Sequence, residues 1–218
     1  MAAACRLCYS ASDIDAIREA MDDEAAARLI GKVLKLGHLS VLEHASFTFA
    51  IEGISRACSH QLVRHRIASF SQQSQRYVKM SECEFMLPPS IRQKPEAVEK
   101  FNSLMSDLQA EYNALLEDGI PAEDARYVLP NAAETKVIMT ANARSLINFF
   151  ELRLCTRAQW EIRQLAGLML EKVKAVAPSI FANVGPACDI KDYCPEGEMS
   201  CGKINGRGDR KSLGRPSP

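Results

Sequence analysis

The chain has 218 residues, with 27 basic and 27 acidic side chains, 47% hydrophobic residues and 8 cysteines. That length makes one large domain or at most two small ones, able to bury a core without disulfide or metal staples, and zero net charge argues against binding nucleic acid or membranes by bulk electrostatics. No apolar run reaches the roughly 18 residues of a membrane span, and the start, Met1-Ala2-Ala3-Ala4-Cys5-Arg6, lacks a secretory apolar segment, so the cysteines read as reduced thiols of a cytoplasmic protein.

Ala26, Leu29, Ile30, Val33 and Leu34 recur at helical spacing, and Gly37 follows as a stop. Phe47, Phe49 and Ile51 alternate with Thr48 and Ala50, the period of a strand. Ser55 is placed to cap a helix running through Leu62 and Val63 into Arg64-His65-Arg66, with a Ser/Gln loop over 69–75 and a strand at 84–87 that Pro88-Pro89 ends. A long amphipathic helix spans 95–118 and closes at Gly119. A short helix with Pro121 at its first position follows and Pro130 stops it, then comes a strand through Thr135, Val137 and Met139. Asn142 suits a cap for a helix carrying Leu146, Phe149 and Phe150, and Thr156 with Gln159 reads as a capping box opening the last long helix, which Pro178 ends. Helices with a few scattered strands favour an α+β fold, a small mixed or antiparallel sheet packed with several long helices. The domain is expected over 1–202, with a disordered Gly/Arg/Pro/Ser tail over 203–218.

Several motifs fail on inspection. Gly197 to Lys203 imitates a phosphate-binding P-loop, but Ile204 stands where a Mg²⁺-binding hydroxyl is required. Cys5 and Cys8 form a single C-x-x-C, and Cys188, Cys194 and Cys201 complete no standard zinc spacing, so idle thiols and no metal are expected. Arg207-Gly208-Asp209 carries no meaning inside a cell, and no G-x-G-x-x-G follows a strand, which excludes a Rossmann-type dinucleotide site.

Two polar clusters are informative. Gln61 to Arg76 contains Arg64, Arg66, Arg76 and His65 but no acidic residue, so the segment offers no local partner for its positive charge. Guanidinium forks match phosphate geometry, and a loop rich in hydroxyls, amides and backbone N–H groups suits phosphate oxygens. On a helix, Arg64, His65 and Arg66 diverge by about 100° each and would serve two ligands or a subunit interface. The second cluster runs from Asn142 through Arg144, Asn148 and Arg153 to Arg157, with Arg144 and Asn148 on one helix face. Arg153 follows an apolar run, where a partly buried charge needs an anion, and Arg126 is a weaker case of the same kind.

Together these segments resemble the flavin-dependent thymidylate synthases. Arg64-His65-Arg66, seven residues and Ser74 match that family's signature. Gly37-His38 to Glu43-His44, Asp124 to Pro130, and Asn142 to Glu161 match further motifs in the family's order. The resemblance implies a homotetramer with shared active sites, and FAD, NADPH, 5,10-methylenetetrahydrofolate and dUMP as ligands. By matched position, Ser40, Arg64, His65, Arg66, Asn142, Arg144 and Asn148 would hold FAD, with His38 near the flavin ring and folate. Gln61, Arg64, Ser74, Arg76, Arg126 and Arg153 would hold dUMP, and Gln72 would lie between both ligands. Gln72 stands where some members carry Glu, Arg157 where some carry His, and Cys8 where others carry Ser. The family's usual strand before the Arg6-Leu7-Cys8-Tyr9 segment has little room behind Met1.

The implied reaction is reductive methylation of dUMP to dTMP. A guanidinium cannot act as a base near neutral pH, so Arg153 is assigned to electrostatic activation of the uracil ring. Ser74 reads either as a nucleophile without an adjacent base or, preferably, as a phosphate or sugar contact. A nucleic-acid module, a thiol or zinc protein and a Cys-dependent thymidylate synthase are the competing readings.

Overall fold

The computed structural model describes residues 1–191 and 193–204; most of the tail expected to be disordered, with Arg207-Gly208-Asp209, lies outside the described residues. Two compact units divide the chain, one built from Met1–Phe47 with the segment from Ala141 onward, the other from Thr48–Thr140. The architecture is α+β, as expected.

In the first unit, α1 (Ala2–Leu7), α2 (Ile14–Glu19) and α3 (Asp23–Lys35) precede a 3-10 turn at Leu39–His44. Asp13 and Asp22 cap α2 and α3 by accepting the N–H groups of Ala16 and Ala25. Gly37 takes φ 79°, the left-handed stop that its position after α3 requires. The later helices are α8 (Ala143–Arg153), α9 (Trp160–Val176), α10 (Pro178–Phe181) and α11 (Ala187–Lys191). The centre is aromatic: Phe149, Phe150 and Phe181 are fully buried, and Phe181 meets the rings of Phe47 and Phe150 edge-on at 5.3 and 6.1 Å. Each such side chain stabilises the fold by about 1.5–3 kcal/mol through burial. α8 is thereby fixed against the 3-10 turn and α9, which sets the positions of Arg144, Asn148 and Arg153. The Asn142 side chain accepts the Ser145 N–H at 2.9 Å, as its cap role predicts.

The second unit holds β1 (Ser46–Ser55, entering from Phe47), α4 (Arg56–Leu62), β2 (Ser69–Gln72), α5 (Pro89–Arg92), α6 (Pro95–Glu117), α7 (Ala122–Ala125) and β3 (Glu134–Asn142, leaving at Ala141). The sheet order is β1-β3-β2, with β2 antiparallel to β3 from Ser69↔Thr140 to Gln72↔Val137. Thr135, Val137 and Met139 are buried while Lys136 and Ile138 are exposed, the alternation read from the sequence. α6 buries Met105 and Tyr112, whose hydroxyl accepts the Met80 N–H at 3.0 Å.

Several expectations need correction. α4 stops at Leu62, so Arg64, His65 and Arg66 lie in the loop beyond it. Val63 and Ile67, the apolar residues flanking these three, are 39% and 76% exposed, so no buried apolar face continues beyond Leu62. The roughly 100° divergence of successive helical residues therefore does not apply to these three side chains. The segment expected as a loop contains β2, whose two-residue period (Phe70 and Gln72 half-buried, Ser69 and Ser71 exposed) is disguised by polar side chains. At 84–87 only a single bridge forms, Phe85↔Ala133, because Pro88 and Pro89 remove the next donors. The cap of α9 is Gln159 itself, accepting from Glu161 and Ile162 at 3.0 and 3.1 Å, while Thr156 stays in the preceding turn. Pro121 is the residue before α7, not its first.

Candidate active site

The second unit gathers the most distinctive chemistry. Ser55 caps α4 by accepting the Cys58 N–H at 3.0 Å, and Arg56 is the first residue of that helix. A cation there opposes the helix dipole, so a separate reason must place it. Arg56 and His60, one turn apart, line a pocket of ≈ 250 Å³ with Gln75, Arg126 and Tyr127, and no acidic residue contributes to its lining. Burial first, and then the neighbouring Arg126 charge, hold the Arg56 guanidinium below its ordinary value. Gln75 is 8% exposed and its Nε2 has no hydrogen-bond partner. An orphaned buried amide donor is costly unless something accepts from it. Two guanidiniums and one unsatisfied N–H donor make a receptor for an oxyanion.

Around this pocket the predicted residues fall as follows. Arg126 donates from Nε to the Glu123 carbonyl at 3.0 Å, which steers its guanidinium. Arg76 is exposed and bonds Glu123 Oε2 through Nε at 2.9 Å, the contact that chiefly raises its proton affinity. Ser74 Oγ accepts the Arg76 N–H at 3.2 Å, ordering the turn after β2. Gln72 is half-buried and donates to Ser59 Oγ at 2.9 Å and Thr135 Oγ1 at 3.0 Å, tying β2 to α4 and β3. Gln61 is half-buried near the end of α4, as is His65 beyond it, while Arg64 and Arg66 are exposed in the loop.

The other predicted residues belong to the first unit. His38 and Ser40 are exposed at the start of the 3-10 turn. Arg144 and Asn148 are exposed on α8, and Arg144 Nη1 is ion-paired with Glu43 Oε1 of the same turn. Asn142 uses its side-chain oxygen as the cap of α8, which leaves its amide N–H groups for other acceptors. Arg153 is half-buried as the last residue of α8, and Arg157 is exposed in the following turn. The structure thus brings Arg76, Arg126 and the Ser74 turn together in one unit, and Arg144 with the 3-10 turn in the other. Arg56, His60 and Gln75 escaped the sequence reading. A cation at the first position of a helix, against the dipole, is the signal that could have found Arg56.

The family model described as thymidylate synthase complementing protein matches residues 1–179. The chain belongs to that family. A relative from Geobacter sulfurreducens named flavin-dependent thymidylate synthase is 57% identical over 205 residues, covering 93% of this chain and 88% of its own. Relatives of the same name from Clostridium tetani and Pyrococcus abyssi are 46% and 48% identical, covering 93% and 82% of this chain and 88% and 76% of theirs. The family resemblance read from four motifs, and the expectation of an enzyme, both hold. No helix of the described residues is long and apolar enough to cross a membrane.

Proposed function

We propose that the chain converts dUMP to dTMP, with FAD as bound cofactor, NADPH as reductant and 5,10-methylenetetrahydrofolate as carbon donor, working as a cytoplasmic homotetramer with shared active sites. The single observation that carries this reading is the carboxylate-free pocket of Arg56, Arg126 and Gln75. A nucleotide monophosphate offers it the acceptor oxygens and negative charge it lacks.

The donor sets fit both ligands. Arg126 and Arg76, steered by Glu123, and the hydroxyl of Ser74 take the phosphate end of dUMP, while Gln61, Arg64 and Gln72 fix its nucleoside end. Gln72 Nε2 donates to both Ser59 and Thr135, which fixes the amide plane and aims its carbonyl oxygen without further ordering. Arg64, His65 and Arg66, with Ser40, Asn142, Arg144 and Asn148, supply cations and amides for a flavin dinucleotide, and His38 faces its ring and the folate. The Glu43 carboxylate pre-orients Arg144 for a diphosphate. Bound there, FAD would supply the hydride and one-carbon chemistry that no side chain performs.

Arg153 holds negative charge on the uracil ring as N3 loses its proton, which makes C5 nucleophilic. The residue acts as an electrostatic stabiliser and not as a base. The visible spectrum of the purified protein tests the assignment. A yellow protein that NADPH bleaches, faster with dUMP present, is the expected result; a colourless protein that takes up no FAD on titration would refute it.

A further inference from the structure

The core of the second unit holds two hydroxyls that packing alone does not call for. Thr135 on β3 is 2% exposed and shares the buried face of that strand with Val137 and Met139. Ser59 is fully buried on α4, as are Cys58 and Leu62. A valine would fill the space of Thr135 with no polar group to satisfy, and a buried hydroxyl is costly unless it is hydrogen-bonded. Both hydroxyls spend that bond on one side chain. Gln72 Nε2 lies 2.9 Å from Ser59 Oγ and 3.0 Å from Thr135 Oγ1. The register sets Gln72 opposite Val137, which makes Thr135 its diagonal neighbour on the same face of the sheet.

The direction of these bonds follows from a third one. Ser59 donates its own hydrogen to the Arg56 carbonyl at 2.9 Å, so toward Gln72 it can only accept. The amide nitrogen must therefore face Ser59, and the two donated bonds use both of its hydrogens. The carbonyl oxygen is turned away from the hydroxyls and accepts from none of the described residues. Unheld, the terminal torsion of a glutamine is broad and roughly two-fold, and would offer a ligand oxygen or nitrogen indifferently. A carboxylate at this position would meet the Ser59 lone pairs with no hydrogen to give.

We propose that Ser59 and Thr135 are positioning residues for dUMP: they clamp the Gln72 amide so that its carbonyl oxygen is a fixed acceptor for an N–H or O–H group at the nucleoside end. This inference rests on the proposed reaction, in which Gln72 contacts the substrate. Neither hydroxyl acts except through Gln72. The long side chain is ordered when the protein folds, so its lost rotamer freedom is not subtracted from the affinity.

Calorimetry of dUMP binding to the full chain supplied with FAD tests the clamp. Thr135→Val should weaken binding by about 3–10-fold, the worth of one net hydrogen bond. Its melting temperature should stay level or rise, because valine suits the buried face of a strand. Thr135→Ser restores the hydroxyl and should recover most of the affinity. In a Gln72→Ala background, Thr135→Val should cause no further loss, since residues that act through one another are not additive. Should Thr135→Val fail to fold, Ser59→Ala carries the same comparison. The clamp is overturned if the variant binds dUMP as tightly as the unaltered chain, or if it loses as much affinity without Gln72 as with it. An unaltered chain that binds no dUMP overturns the proposed function itself and this inference with it, a result distinct from either of those.

Discussion

Arg153→Ala is expected to lower kcat for dTMP formation by about 100–1,000-fold, the usual consequence of removing one donor that stabilises developing charge. FAD content should be unchanged, because the substitution removes a charge at the end of α8 and leaves Arg144 and Asn148 on their own face of that helix. Phe149 and Phe150 anchor the helix, and an unchanged melting temperature of the variant separates the loss from a folding effect. Arg153→Lys keeps a charge but loses the planar fork and should recover only part of the rate. A kcat for Arg153→Ala near that of the unaltered enzyme would remove Arg153 from the chemistry.

The second large effect concerns the oxyanion pocket. Arg126→Ala should weaken dUMP binding by roughly 10–150-fold, corresponding to the 1.5–3 kcal/mol of a charge-assisted hydrogen bond. Arg56→Met separates the pocket reading from a structural role. Arg56 is half-buried beside a like charge, with no ion-pair partner among the described residues. Its replacement should therefore raise the melting temperature of the ligand-free chain while weakening dUMP binding. Titration calorimetry at two salt concentrations, alongside thermal melting, checks both arms. Loss of stability together with unchanged dUMP affinity would show that Arg56 serves the fold alone.

Most of the architecture was legible in the sequence because its signals are local. Asn142 and Ser55 announce their caps, Gly37 and Gly119 their stops, and the apolar period over 95–118 its helix. The failures were equally local in cause. Polar Ser69 and Ser71 hid a strand that exists only because β3 offers it a ladder, and Thr156 imitated a cap that Gln159 performs. For the site, the motifs named Arg126 and Arg76, but the pairing of Arg144 with Glu43 spans 101 positions and no local signal carries it. Gln75 looks like any loop amide until its burial is known.

Product formation with single omissions tests the central claim most directly. Purified protein stripped of FAD is incubated with dUMP, 5,10-methylenetetrahydrofolate, NADPH and added FAD, and dTMP is measured by chromatography. The account predicts dTMP in the complete mixture and none when either FAD or NADPH is left out. Formation of dTMP in either single omission, or its absence from the complete mixture, would contradict the account.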